Sequence, residues 1–420
     1  MAVAAVAVPL DLPPLVPFAT TAIALAATLA LAAVGGRALE RIGELARARP
    51  RALLAAATVV VVWDRHLFVS SAGIAPDDVL AAASVVVALA PLRGARATPV
   101  LAALAVATFA VAAATLIVAK PYHSDAVVAA HGGAQLLLEG RRPYADFDMV
   151  AQLRRFGLPP EYATPLEDGT RLRSLQYPAL TFLVPAPFVA AGLADVRVLY
   201  LVEVLAIFTL VVASVPAAWR AAALAACLGG IAVVDQFVLA GVDPLWALLA
   251  LGAWLTRRSR WSAVLLGLAL ATRQPAWLVA PFLIASAGRR SGRSEAGFRA
   301  VVAAAVALVI HLPFLLTQPG ALVAGVTAPA LLPLEAWGVG PAKLAADAHA
   351  AVFPRLAYVA AAAAAYLLAL AAFVRGRTRG GALSLPLLPL WLSSRALLSY
   401  FAFLGLFVLV DDEDGYHPRR

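Results

Sequence analysis

Long apolar runs recur from one end of this chain to the other, and they decide what it can fold into. Residues 15–34, 52–63, 79–92, 99–118, 177–193, 198–215, 221–234, 238–255, 261–285, 300–316, 356–374 and 383–410 are dominated by Ala, Val, Leu, Ile and Phe. An apolar helix of about 20 residues spans the hydrocarbon of a bilayer, and an open backbone cannot, because lipid offers peptide groups no partners. With 63% hydrophobic and 14% charged residues over 420 positions, the chain carries more apolar surface than one aqueous core can hide. The runs predict an all-α, polytopic transmembrane helical bundle of about eleven to thirteen crossings.

The formal charge of +9 would suit nucleic acid if it formed one patch. Instead the arginines stand in short loops between runs, at 37–51, 93–96, 257–260, 289–299 and 375–379. That is the positive-inside pattern of a multi-pass protein, and it disfavours nucleic-acid binding. With those loops in the cytoplasm, counting crossings places residues 122–176 on the outer face of the plasma (inner) membrane. The N-terminus lacks a basic region before its first apolar run, so that run is expected to be a retained helix, not a cleaved leader. The single cysteine, Cys227, lies within an apolar run and reads as a small buried hydrophobe. Trp63, Asp64, Arg65 and His66 read as an interfacial cluster with no chemistry, and the tail at 411–420 as a solvated charged end.

Two basic loops, 257–260 and 289–299, flank the run at 261–285 and both belong on the cytoplasmic side. The run between them therefore predicts a hairpin of two short helices. Ala271, Thr272, Arg273, Gln274 and Pro275 form its outer tip, with the proline breaking the helix. The organisation expected is an N-terminal helical part over 1–119, an external loop over 120–176 and a helical bundle over 177–420.

The external loop concentrates the ionisable groups. Residues 124–149 read SDAVVAAHGGAQLLLEGRRPYADFDM. Val127, Val128, Leu136, Leu137 and Leu138 supply the apolar face of a short helix, Gly140 its stop, and Arg141, Arg142, Pro143 and Tyr144 follow. Ser124 and Asp125 are both good helix caps, so Asp125 reads either as a cap or as a functional carboxylate. The return of Asp146 and Asp148 to the same loop, with two arginines between, favours function. A carboxylate at the membrane surface can deprotonate an acceptor hydroxyl, and a second can hold a divalent cation such as magnesium or manganese. An adjacent guanidinium fork matches phosphate oxygens bidentately. Residues 152–174 are polar and turn-rich for more than twenty residues, and loops this long are functional or disordered; acceptor binding is the reading by analogy only.

At these residues the chain resembles the GT-C superfamily of polyprenyl-phosphate-dependent glycosyltransferases, in its bacterial mannosyltransferase-like branch. The likeness rests on an aspartate after an apolar span, a helix ending LLLEG, then RRPY, then LQYPALTFLVPAPF; the tip segment GLALATRQPAWLVAPFLIA and SSRALLSYFAFL support it. The resemblance covers roughly residues 115–405. It implies a membrane enzyme that moves a mannose-like hexose or a pentose, with inversion, from a polyprenyl-phosphate donor to a cell-envelope glycan or glycolipid on the non-cytoplasmic face. Asp125 matches the catalytic aspartate. Arg141, Arg142, Arg273 and Arg395 fall to the donor phosphate, and Tyr144, Asp146, Asp148, Tyr177, Gln274 and Asp243 to the substrates. The chain departs from the pattern in having three further apolar runs before its loop aspartate, in carrying Arg273 where lysine is frequent at the tip, and in lacking an acidic pair at Asp125.

Other ionisable groups have plainer readings. Asp235 and Asp243 flank a short turn between runs, either at the interface or beside Asp125. Arg273 either snorkels or meets the donor, and His311 is expected to pack. His123 and His131 are solvent-facing or assist a metal or an acceptor. Arg395 and Tyr400 are placed on one predicted helix without sharing a face. Phosphate-loop, G-x-S-x-G and H-E-x-x-H patterns are absent. A secondary transporter or lipid flippase, and a non-catalytic membrane protein of the same fold, are the alternatives to the transferase.

Overall fold

The computed structural model of the chain describes residues 124–216, 241–338, 340–347, 353–378 and 380–411, with positions 103, 122, 220 and 223. The runs expected at 15–34, 52–63 and 79–92, nearly all of those at 99–118 and 221–234, and the readings of Cys227, Asp235, His123, residues 63–66 and the tail from 412, lie outside the described residues.

The loop helix forms as its residues dictate. Helix α1, Asp125–Leu138, is capped by Ser124, whose Oγ accepts the Val127 N–H at 3.5 Å. Gly140 turns the chain away with φ of 71°, the left-handed conformation glycine adopts without a Cβ penalty. Val127, Val128 and Leu136 are fully buried, while Leu138 faces outward. Helix α2, Met149–Arg155, begins at Asp148, whose Oδ1 accepts the Ala151 N–H at 3.1 Å.

The run at 177–193 is not one crossing helix. Pro178, Pro185 and Pro187 interrupt it, leaving α3, Leu180–Leu183, and α4, Ala186–Ala190. The run at 198–215 does form one helix, α5, Arg197–Ser214. Among the described residues of the run at 238–255, α6, Leu245–Leu255, starts after Pro244.

The expected hairpin follows as α7, Trp261–Leu270, and α8, Pro275–Ser291. Pro275 opens the second helix rather than breaking the first, because a helix's first turn does not need its missing N–H. The tip is not an exposed one: Ala271 and Thr272 are fully buried and Arg273 is 7% exposed. It docks on the proline-broken segment, where the Leu180 N–H donates to the Ala271 carbonyl at 2.9 Å and the Thr181 hydroxyl to the Thr272 carbonyl at 2.6 Å. The first turn of α3 thus supplies the donors that the non-helical tip backbone needs once it is buried.

Helix α9, Arg293–Thr317, has 25 residues and leads through Gln318 into α10, Pro319–Leu331. Next come β1, Trp337–Gly338, then α11, Pro341–Asp347, and α12, Arg355–Val374. The run at 383–410 is also not a single helix. Pro386 and Pro389 lie in a 3-10 helix, Leu385–Leu392, followed by β2, Arg395–Ala396, α13, Leu398–Phe401, and α14, Leu404–Val410. Strand β2 pairs in parallel with β1, Trp337 opposite Arg395 and Gly338 opposite Ala396.

The described chain is therefore mainly helical, with three helices long and apolar enough to cross a membrane: α5, α9 and α12. Helices α9 and α12 turn large apolar side chains outward, among them Val309, Leu316, Leu356 and Leu368, a surface suited to hydrocarbon rather than water. One apolar core gathers Trp246, Trp254, Phe282 and Phe407 around α6, α8 and α14. A second gathers Val127, Tyr144, Phe182 and Phe314 beneath the loop. Helix α7 packs on both α6 and α9. A Cβ at Gly267 would stand 2.6 Å from the Ala303 carbonyl oxygen, so glycine lets α7 and α9 approach this closely.

These helices give the bundle two chemically different ends. Gln274 and Gln318 stand at one end of α8 and α9, and the turn between Ser291 and Arg293 at the other. At 1.5 Å per residue, the 17 residues of α8 separate those ends by about 25 Å.

Candidate functional site

The first functional question is what Asp125 does, since either cap or chemistry was open to it. Ser124 takes the cap and Asp125 is released. Its Oδ2 accepts both the Thr164 hydroxyl at 2.7 Å and the Thr164 N–H at 3.2 Å, 39 residues along the chain. No described residue hydrogen-bonds to Oδ1. The carboxylate is thus held in one orientation by two donors of a single distant residue and keeps one oxygen for another proton.

Thr164 belongs to the turn-rich stretch, which is folded rather than loose. Pro165 bridges to Arg171 and Leu166 to Leu334, the Leu172 N–H donates to the Thr164 carbonyl at 2.9 Å, and the Glu167 N–H to the Pro333 carbonyl at 2.8 Å. These ties fix the stretch over the start of α1 and against the end of α10.

Tyr144 and Tyr177 connect the loop to the bundle. The Tyr144 hydroxyl donates to the Tyr177 carbonyl at 2.9 Å, and its ring packs edge-on against Phe182 and Phe314. Gln318, at the end of α9, accepts the N–H groups of Tyr144 and Ala145 on a single oxygen, both at 2.9 Å. Gln274, at the hairpin tip, donates to the Gln176 carbonyl at 2.7 Å and the Val326 carbonyl at 3.2 Å. Both glutamines therefore pin backbone around Tyr177.

The Arg273 guanidinium lies over the Tyr177 ring, 4.3 Å from its centre. It is buried, and its Nε and Nη2 meet no hydrogen-bond acceptor. Asp243, itself 3% exposed and bonded to the Leu245 N–H at 2.8 Å, lies within electrostatic reach of Arg273. Tyr177 feels Arg273, Asp125, Tyr400 and Arg395 at once. Arg395 and Tyr400 arrive there from a strand and a separate short helix, not from one helix, and Arg395 Nη1 is buried without a partner. Asp125, Tyr144, Tyr177, Asp243, Arg273, Gln274 and Arg395 are thus brought into one linked neighbourhood.

The remaining sequence candidates are placed differently. Arg142 is exposed and pairs with Asp146 at 3.1 Å, and Arg141 lies 3.8 Å from Glu139. The Arg142 N–H and guanidinium hold the Asp146 carboxyl below the usual carboxylate range. Asp148 is low as well: its partial burial works the other way, but Arg173 and the Ala151 N–H outweigh that. These four residues close turns and cap α2 within the loop. Among the described residues no three His, Cys, Asp or Glu side chains gather as a metal-binding group.

His131 is buried, not solvent-facing. It sits between the Tyr122 hydroxyl at 2.7 Å and Gln135 at 3.2 Å, and desolvation pushes its pKa down to about 4. His311 packs as expected: its Nε2 accepts the Ala179 N–H at 3.1 Å, which leaves Nδ1 to donate to the Ala307 carbonyl at 2.7 Å.

Sequence reasoning missed Thr164, Gln318 and Glu203. Glu203 is a carboxylate inside the apolar run at 198–215, a signal that was there to find. It is buried in α5 near Asp243, with Oε2 unbonded. No family model, curated protein or solved structure matches the chain.

Proposed function

We propose that this chain is an integral membrane glycosyltransferase of GT-C type, a polytopic bundle that transfers a sugar from a polyprenyl-phosphate donor to an envelope glycan or lipid. The observation that carries the reading is the buried Arg273 guanidinium, set 4.3 Å over the Tyr177 ring with unbonded nitrogens, with Asp125 and Arg395 within electrostatic reach of the same tyrosine. The Asp125 carboxylate takes the proton of an acceptor hydroxyl through Oδ1. The hydroxyl oxygen then bonds to the anomeric carbon as the bond from that carbon to the donor phosphate oxygen breaks, and configuration inverts. The leaving polyprenyl phosphate is dianionic. Arg273 and Arg395, whose buried nitrogens have acceptors to gain, supply the charge that stabilises it. Tyr144, Gln274 and Gln318 keep Tyr177 and the loop in register.

The test is Asp125→Asn in the full-length protein, with transfer from polyprenyl-phosphate sugars followed directly and the envelope glycans profiled in cells carrying only the variant. Loss of one sugar or linkage with the variant still inserted supports the reading. An unchanged profile with full transfer overturns it.

A second reading, an ion-coupled transporter, draws on the buried carboxyl groups of Glu203 and Asp243, since acids at membrane depth mark ion or proton paths. It predicts substrate flux that survives Asp125→Asn and fails in Asp243→Asn.

A further inference from the structure

At the end of the bundle away from Asp125, the helices expose arginine in unusual density. The turns at 256–260 and 289–299 and the end of α12 at 375–377 hold nine arginines and one acid, Glu295, among their described residues. Glu295 is taken by Arg299 at 2.7 Å, and Arg299 also donates to the Ser262 hydroxyl at 3.0 Å and the Arg257 carbonyl at 2.7 Å.

Direct contacts join these turns into one face. Arg289 reaches across to the Phe373 carbonyl at 3.0 Å and the Thr378 carbonyl at 3.4 Å, tying the end of α8 to the end of α12. Arg290 lies over the Trp254 ring, 5.8 Å from its centre, and Arg260 lies 5.4 Å from the Phe298 ring centre. On that framework Arg258, Arg260, Arg293, Arg375 and Arg377 are exposed and have no acidic partner among the described residues. Trp261, 69% exposed, and Phe298 stand among them.

We propose that this face is a binding surface for anionic phospholipid headgroups. It lies where α9 begins and α12 ends, two of the helices suited to crossing the bilayer, so it meets the bilayer at headgroup level. The partner is anionic and repeated, because five exposed guanidinium groups without an acidic partner repel each other on one face and are best neutralised by several phosphates together. It must also have an apolar part, because Trp261 and Phe298 present rings at the same level, where indole and aromatic groups settle between headgroups and chains. A soluble anion satisfies the first condition and not the second. The topological role of positive loops asks only that arginine be present; it does not ask for fixed cross-links between three turns or for aromatic rings set among them.

The experiment uses the full-length protein in mixed micelles carrying either dioleoyl phosphatidylglycerol or dioleoyl phosphatidylcholine, with lipid retention read by native mass spectrometry and thermal unfolding read in parallel. Phosphatidylglycerol should be retained preferentially, and the preference should fade as salt rises. In Arg258→Gln/Arg260→Gln/Arg293→Gln/Arg375→Gln/Arg377→Gln that preference should fall roughly tenfold or more. Equal retention of the two lipids, a preference indifferent to salt, or a preference kept in the variant would each overturn the proposal. Inorganic phosphate that protects the protein as well as phosphatidylglycerol does would assign the face to soluble anions and overturn it too. Should the variant not fold, the salt dependence of the unsubstituted protein still decides.

Discussion

Replacing Asp125 in two ways separates its chemical role from its architectural one. Asp125 Oδ2 accepts two donors from Thr164, the hydroxyl at 2.7 Å and the N–H at 3.2 Å, and Thr164 is buried. Asparagine keeps a carbonyl oxygen that can accept both, so each bond weakens from charge-assisted to neutral strength, a loss of about 1 kcal/mol in total. Alanine leaves a buried N–H and a buried hydroxyl with no acceptor, which costs about 2–4 kcal/mol. On the proposed function, neither replacement can take a proton from an acceptor hydroxyl at neutral pH, and the loss of a positioned base should lower transfer by about 10²–10⁴-fold.

The expected ordering is therefore different in the two measurements. By thermal unfolding in detergent, Asp125→Asn lies close to the unsubstituted protein and Asp125→Ala clearly below it. By transfer rate the two variants are equally poor. Trypsin adds a local readout, because Arg154, Arg155 and Arg171 lie on the segment that Thr164 anchors; the alanine variant should be cut there sooner and the asparagine variant should not. Transfer by Asp125→Asn within tenfold of the unsubstituted protein would refute the base assignment. Equal stability and equal protease resistance of the two variants would refute the tether.

Three further predictions follow from other parts of the molecule. His131 is buried with its pKa lowered to about 4, so the unfolded chain binds its proton first as pH falls; the stability it contributes is complete above about 6.5 and lost between there and about 4, at no more than roughly 1.4 kcal/mol per pH unit, and His131→Phe should flatten that part of the unfolding profile. Gly267→Ala should destabilise by about 1–3 kcal/mol despite its gain in helix propensity, because the new Cβ meets the Ala303 carbonyl at 2.6 Å, whereas Gly297→Ala meets nothing within 4 Å and should stabilise by about 0.5–1 kcal/mol in the same unfolding assay. Gln318→Leu strips the acceptor from two N–H groups and should cost about 2–4 kcal/mol, with Gln318→Glu recovering most of it; equal losses in both would show that packing, not the shared oxygen, is what matters.

Local signals in the sequence were enough for the parts whose causes are local. The loop helix, its Gly140 stop and the hairpin at 261–285 each depend on caps, prolines and apolar spacing within a few residues, and each forms. The runs at 177–193 and 383–410 were misjudged because average hydropathy does not register Pro178, Pro185 and Pro187, or Pro386 and Pro389, which cut them into short pieces. The burial of the hairpin tip has a related cause that hydropathy does not register. The pairing of Leu180 and Thr181 with the carbonyls of Ala271 and Thr272 helps to bury it, and that pairing joins residues more than ninety positions apart. Gln318 and Tyr144, separated by 174 positions, were equally invisible to any window on the sequence.

The broken helices are what make the candidate site chemically different from the rest of the bundle. The Leu180 N–H lies in the first turn of α3, where a helix supplies no acceptor of its own, and with the Thr181 hydroxyl it holds the tip carbonyls and keeps Arg273 turned inward. Burying a guanidinium costs several kcal/mol, and a ring face at 4.3 Å returns about 2 kcal/mol or less. Asp243 adds to the offset, but at a distance, since neither Arg273 Nε nor Nη2 has an acceptor within bonding range. A cation desolvated in this way gains more from an anion brought to it than an exposed arginine such as Arg142 can, because Arg142 already has Asp146 and water. That difference ranks the candidates for the donor phosphate: Arg273 and Arg395 stand ahead of Arg141 and Arg142, and charge-preserving replacement at Arg273 should weaken transfer far more than the same replacement at Arg142.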